Sequence, residues 1–196
     1  MRQQNKVQDD DVNFSWPLEE EIAEILISAE EIQQRIARLG AAISRDYASL
    51  EPRLIGILKG MTPFMADLMR AISIPISTDF MAVLKYEPEE EGKPAARLIK
   101  DLDSSIAGEH VLLVEDIIDM GLTMEYVLHL LQGRNPASLK VCTLFNKPAN
   151  RVVDLPLDYV GFDLPDVFVV GYGLDYKQKY RNLPYLAVLK PDVYTT

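Results

Sequence analysis

The stretch of the chain that can do chemistry is residues 111–124, VLLVEDIIDMGLTM. Four apolar residues read as a buried strand, and Glu115 and Asp116 stand at its C-terminal end. Ile117 to Gly121 read as a turn, and a helix opens near Leu122-Thr123. Open parallel sheets bind ligands just beyond the C-terminal ends of their strands. A helix starting there offers free backbone N–H groups and the positive end of its dipole, an anion site. Gly121 lets the backbone approach a phosphate closely, and Thr123 adds a hydroxyl donor. Two carboxylates beside such a site suit the vicinal hydroxyls of a ribose or a hydrated divalent metal better than more phosphate. The plain alternative is a strand-to-helix turn with a solvated acidic cap, and the residue pattern fits both.

The elements that must position this turn read as an α/β fold. Ile25-Leu26-Ile27 is a brief strand, and Ser28-Ala29-Glu30-Glu31 is a capping box. Ile32, Ile36, Leu39, Ile43 and Tyr47 then recur at helical spacing, which predicts a helix over about 28–48, closed by Pro52. A strand over 53–58 ends at Lys59-Gly60; Phe64, Leu68 and Ile72 mark a helix, and Ile76 to Leu84 another strand. Residues 85–97, KYEPEEEGKPAAR, form a polar loop of a length that is often a lid. The strand at Val111–Val114, a helix over 122–133 and a strand from Leu139 to Phe145 complete βαβ units on a parallel sheet. Short strands follow at Tyr159–Phe162, Val167–Tyr172 and Leu186–Leu189, between Pro- and Asp-rich turns. Residues 1–16 are a polar arm, and 17–196 read as one domain.

Composition narrows the function classes. The 196 residues carry 20 Lys+Arg and 30 Asp+Glu, a net charge of −10, which opposes a general nucleic-acid binder. The single cysteine, Cys142, excludes an intramolecular disulfide or a cysteine metal cluster, and is expected in the core rather than as a nucleophile. No apolar run approaches the roughly 20 residues that span a bilayer. Residues 1–16 lack the apolar core of a signal peptide. A cytoplasmic protein with no membrane partner is expected.

The string VEDIIDxGxT resembles the phosphoribosyl-pyrophosphate motif of the type I phosphoribosyltransferases, and Ile117-Ile118 is similar to the wording of the hypoxanthine(-guanine) branch. Leu58-Lys59-Gly60 resembles that family's pyrophosphate loop, and Asp79 to Val83 the strand leading into its mobile lid. Tyr159 to Phe162 and Asp166 to Tyr176 resemble its purine hood, and Arg181-Asn182-Leu183-Pro184 its tail. The likeness runs in order from about Ile25 to Leu189. It implies a parallel sheet flanked by helices, with a small hood from about 147–196 and the N-terminal segment. It also implies Mg²⁺-dependent transfer of phosphoribose from phosphoribosyl pyrophosphate to a 6-oxopurine, by a homodimer or homotetramer.

The same resemblance assigns roles. Glu115 and Asp116 would bind the ribose hydroxyls, directly or through Mg²⁺, and Asp119 would accept a proton near purine N7. Ile117, Ile118 and the backbone of Met120, Gly121, Leu122 and Thr123 would hold ribose and 5′-phosphate. Lys59, Gly60 and Arg181 would meet pyrophosphate. Lys147 would donate to purine O6, Phe168 would stack on the base, Val169 would offer backbone groups to its edge, and Asp175 would help hold Mg²⁺. Three departures stand out. Met120 occupies a position usually Thr or Ser, the lid reads Lys85-Tyr86 where Ser-Tyr is usual, and Glu87, Glu89, Glu90 and Glu91 crowd the lid. They leave open a weakly active or inactive regulator with this fold that senses phosphoribosyl pyrophosphate or nucleotide; a related enzyme using xanthine or guanine is a second alternative.

Overall fold

The structure is a computed structural model that describes residues 19–85 and 96–194. Strand β1 (Ile22–Ile27) leads into helix α1 (Ala29–Asp46). Ser28 Oγ accepts from the Glu31 amide at 3.3 Å, and Glu31 Oε2 accepts from the Ser28 amide at 2.9 Å, so the capping box is made. Such a cap is worth about 1 kcal/mol. The helix ends at Asp46, short of Pro52, where the bonding tightens to three residues back: the Ala48 amide bonds the Arg45 carbonyl at 3.4 Å and the Leu50 amide the Tyr47 carbonyl at 2.9 Å.

Strand β2 (Arg53–Leu58), helix α2 (Thr62–Ala71) and strand β3 (Ser77–Lys85) follow. Strand β4 (Ala96–Lys100) runs back antiparallel to β3, pairing Lys85 with Ala96 and Leu84 with Arg97. The polar segment expected over 85–97 is therefore shorter at both ends, since Lys85, Ala96 and Arg97 belong to this hairpin. The lid expected between them lies outside the described residues.

Strand β5 (His110–Ile118), helix α3 (Leu122–Gln132) and strands β6 (Ser138–Asn146) and β7 (Tyr159–Asp163) complete a six-stranded sheet, ordered β4-β3-β2-β5-β6-β7. All its pairs but β3/β4 are parallel. Strand β5 is buried on both faces, as a central parallel strand should be. Leu112 and Val114 pack with Ile32, Ile36, Phe64 and Leu68 of α1 and α2. Val111 and Leu113 pack with Met124, Val127, Leu128 and Leu131 of α3. Cys142 is fully buried, and that burial pushes its thiol well above the usual range, as a core residue requires.

β5 runs four residues past Val114, which corrects the expected strand end. Glu115 pairs with Thr143, Ile117 with Phe145 and Ile118 with Asn146, so the ladder with β6 carries the acidic pair inside the strand. The turn is shortened to Asp119 to Gly121.

A second, three-stranded antiparallel sheet is ordered β1-β9-β8, from β8 (Val169–Val170), β9 (Leu186–Leu189) and β1. It has its own small core of Val170, Tyr180, Leu183 and Leu189. The strand expected over 167–172 shrinks to two residues. Gly171, Tyr172 and Gly173 all take positive φ (99°, 44° and 98°), which curls the chain out of the ladder. Tyr172 reaches back from that curl to Asp67 of α2, its hydroxyl donating at 2.5 Å, and so anchors the hood to the main body. A last turn, α4 (Pro191–Tyr194), follows β9.

Candidate active site

The β2–α2 loop carries Lys59 and Gly60 to the C-terminal edge of the large sheet. The Leu58–Lys59 peptide is cis. Lys59 Nζ donates to Gln178 Oε1 at 3.3 Å. Gly60 admits no side chain: a Cβ there would lie 1.8 Å from Asp116 Oδ2. From the other side, a Cβ on Gly173 would lie 1.9 Å from the Gly60 carbonyl oxygen. The loop is thus wedged between the acidic strand end and the hood, and close backbone approach is what demands glycine at both places.

Glu115 and Asp116 are 7% and 8% exposed, at the floor of the site. Asp116 Oδ1 accepts from the Ile117 amide at 2.7 Å. Asp119 and Met120 are exposed on the turn, and α3 begins immediately after Gly121. Gly121 is the N-cap residue of α3, in the left-handed region with φ 92°. Its missing side chain serves packing as well as conformation, since a Cβ would stand 2.8 Å from Val153 and Leu155 side chains. That revises the expected reason for this glycine, which was phosphate approach alone. Asp119 lies two residues before the cap, so it is not the residue that caps the helix.

The hood faces this turn. Lys147 is 7% exposed, and its ammonium donates to the Val167 carbonyl at 2.7 Å. Its own amide donates to the Ile118 carbonyl at 2.9 Å, which ties it to the end of β5. Asp175 pairs with Arg181 at 2.5 Å, and its other oxygen accepts from the Gln178 amide at 2.9 Å. Arg181 also donates to the Gly173 carbonyl at 2.8 Å. The expected carriers of metal and pyrophosphate are therefore each other's partners here.

One cavity of about 530 Å³ collects these groups. It is lined by Lys59 and Gly60, by Glu115, Asp116, Ile117, Asp119 and Thr123, and by Lys147, Phe168, Val169, Asp175 and Arg181. Ile118, Met120, Gly121 and Leu122 line an adjoining cavity of about 260 Å³ around the start of α3. Glu115, Ile117, Asp119 and Thr123 border both. The smaller cavity has the chemistry of an anion cradle, because the first amides of a helix lack intrahelical acceptors. The larger has room for a sugar and a flat ring between carboxylates, an ammonium and an aromatic face.

Sequence reasoning missed Arg151. Its Nε donates to the Asp119 carbonyl at 2.9 Å and one terminal nitrogen to Asn146 Oδ1 at 2.5 Å, with a longer contact of 3.4 Å to the Ile118 carbonyl. Asn146 donates in turn to Asp163 at 2.6 Å. The Val152 amide donates to the Met120 carbonyl at 3.1 Å. The 151–152 segment thus clasps the turn at 118–120 from behind. No spacing in the chain links Arg151 to Asp119; the only hint was an arginine shortly after Lys147.

These features define an α/β protein whose candidate site lies at the C-terminal edge of a parallel sheet, under a small hood. The phosphoribosyl transferase domain family matches residues 24–177. The hypoxanthine-guanine phosphoribosyltransferase of Bacillus subtilis is 48% identical over 177 residues, covering 90% of this chain and 98% of its own. That of Streptococcus mutans is 45% identical over 178 residues, covering 91% and 99%. A crystal structure of a hypoxanthine phosphoribosyltransferase from Staphylococcus aureus superposes with a TM-score of 0.89 at 43% identity, covering 93% of this chain and all of that one. The chain belongs to the phosphoribosyltransferase family, among its hypoxanthine-guanine phosphoribosyltransferases. These relatives are named as enzymes, which leaves the regulator alternative without support. Among the described residues no helix is long and apolar enough to cross a membrane.

Proposed function

We propose that this protein transfers the phosphoribosyl group of phosphoribosyl pyrophosphate to hypoxanthine or guanine, forming IMP or GMP and releasing pyrophosphate. The bond from C1′ to the pyrophosphate oxygen breaks, the bond from C1′ to the purine nitrogen forms, and the purine loses a proton. The observation that carries this reading is the adjacency of the two cavities, which share Glu115, Ile117, Asp119 and Thr123 between an anion cradle and a ring-sized space.

The roles are those the family resemblance implies, and that arrangement supports them. The amides from Met120 to Thr123 hold the 5′-phosphate at the start of α3. Glu115 and Asp116 receive the ribose hydroxyls. Lys147 gives one N–H to the Val167 carbonyl, and an ammonium has two more to offer to purine O6. Phe168 stacks on the base and Val169 presents backbone groups to its edge. Asp119, exposed to both cavities, accepts the proton near N7. Lys59, Gly60 and Arg181 receive pyrophosphate, Arg181 sharing or exchanging its Asp175 partner.

Mg²⁺ fits the donor set. This ion takes one or two carboxylates and completes its shell with water and substrate phosphates. Glu115, Asp116 and Asp175 would hold it, and when bound it neutralises charge on the pyrophosphate leaving group.

Steady-state turnover with phosphoribosyl pyrophosphate, Mg²⁺ and each of hypoxanthine, guanine and xanthine tests the reading. Nucleotide and pyrophosphate should appear in equal amounts with hypoxanthine or guanine. Tight binding of phosphoribosyl pyrophosphate without turnover of any purine would overturn it. We further place the working form as a homodimer or homotetramer in the cytoplasm, which sedimentation and cell fractionation check.

A further inference from the structure

A ring in a cavity wall makes a sound stacking surface only if its orientation is held. Phe168 is 39% exposed and precedes β8 on the hood. Its ring stacks on Tyr194, with centroids 5.0 Å apart and planes at 25°. Tyr176 meets it edge-on, at 5.7 Å and 87°. Phe168 lines the large cavity, and neither tyrosine does. Tyr194 and Tyr176 therefore hold the ring from outside the cavity that Phe168 lines, Tyr194 flat against one face and Tyr176 at right angles to it.

Tyr194 is itself held in place. It ends α4, whose Val193 amide bonds the Lys190 carbonyl at 3.0 Å, and the Lys190 amide bonds the Glu21 carbonyl at 2.9 Å. Val193 and Tyr194 pack against the hood core of Val170, Tyr180, Leu183 and Leu189. The last turn of the chain is thus fastened to the beginning of the domain and to the back of the purine wall.

We infer that Tyr194 is a positioning residue for the purine: it backs Phe168 so that the ring presents a fixed flat face to the base. The inference rests on the base-stacking role proposed for Phe168. Without Tyr194 the phenyl ring gains rotational freedom, which the base must remove on binding. Among the described residues Tyr194 stacks on Phe168 and packs against the hood core, so its effect should fall on the purine.

The test uses the full chain and four variants, Tyr194→Ala, Tyr194→Leu, Tyr194→Phe and Phe168→Ala. Aromatic pairs of this geometry are worth about a two- to tenfold change in an equilibrium constant. Tyr194→Ala and Tyr194→Leu should raise the KM for hypoxanthine by about that factor, with kcat and the KM for phosphoribosyl pyrophosphate kept. Tyr194→Phe should restore the wild-type KM, because the flat ring and not the hydroxyl does the backing. A wild-type hypoxanthine KM in Tyr194→Ala, or equal rises in both KM values with a lowered Tm, overturns the inference, as does a wild-type KM in Tyr194→Leu. Phe168→Ala separates the two readings. If it leaves the hypoxanthine KM unchanged, the stacking role itself fails and the inference with it. If it raises that KM while Tyr194→Ala does not, only the role of Tyr194 fails.

Discussion

Arg151 never faces the cavities, yet its removal should cripple the site they form. Arg151→Ala deletes the bond to the Asp119 carbonyl at 2.9 Å and that to Asn146 Oδ1 at 2.5 Å. The Ile118 carbonyl suffers little, because it keeps the Lys147 amide at 2.9 Å. Asn146 keeps Asp163 at 2.6 Å. Two charge-assisted bonds are lost, each worth about 1.5–3 kcal/mol when buried. Water reaches this half-exposed side chain and replaces part of that, leaving about 2–3 kcal/mol. The loss falls on the orientation of the turn whose amides and Asp119 carboxylate are proposed to serve the reaction. If it is felt in the transition state, kcat/KM for phosphoribosyl pyrophosphate falls by about 30- to 150-fold. Arg151→Lys can reach the Asp119 carbonyl but cannot also fork to Asn146, so it should recover about half of that free energy. Millimolar guanidinium should partly restore Arg151→Ala and do nothing for the wild type. Steady-state kinetics with the donor varied, beside Tm, provides the assay. An Arg151→Ala enzyme within twofold of wild type would refute the clasp, as would a loss of Tm with kinetics intact.

Asp119→Asn keeps size and one acceptor oxygen but cannot take a proton, and because Gly121 is the cap it should leave Tm unchanged. Its kcat should fall by about 10²–10⁴-fold, and near-wild-type turnover would remove Asp119 from the mechanism. Met120 is 47% exposed on the wall of the smaller cavity, so Met120→Thr adds a hydroxyl donor beside the phosphate and should lower the KM for phosphoribosyl pyrophosphate; an unchanged KM would show that the backbone alone serves. Burial by itself would raise the Asp67 carboxyl, but hydrogen bonds from Tyr172, Gln33 and Arg70 outweigh it and hold the group below its ordinary value. A carboxyl depressed in the folded chain adds stability above its unfolded pKa, about 4, and that stability is lost as pH falls below it. Asp67→Asn should therefore lower Tm at neutral pH and flatten the fall of Tm below about pH 4, and parallel curves for the two proteins would refute the coupling.

The sequence by itself determined the elements whose signals are local. The capping box at Ser28, the helical spacing of Ile32 to Ile43 and the apolar runs at 53–58 and 111–114 depend on neighbours a few residues apart. The turn at 119–121 was legible because an acidic strand end, a glycine and a helix start occur within one short string. Strand ends were not legible, since β5 reaches Ile118 only because β6 offers partners as far as Asn146. β4 escaped notice because an edge strand of five residues, only one of them buried, has no buried run to announce it. The glycines at 60 and 173 are required by contacts with segments distant in the chain, Gly60 against Asp116 and Gly173 against Gly60. Arg151 behind the phosphate turn and Tyr194 behind Phe168 belong to the same class. Which side chains could meet a ligand is written in residue type and local spacing. Which side chains hold those in place depends on how distant elements close on one another, and only the folded chain decides that.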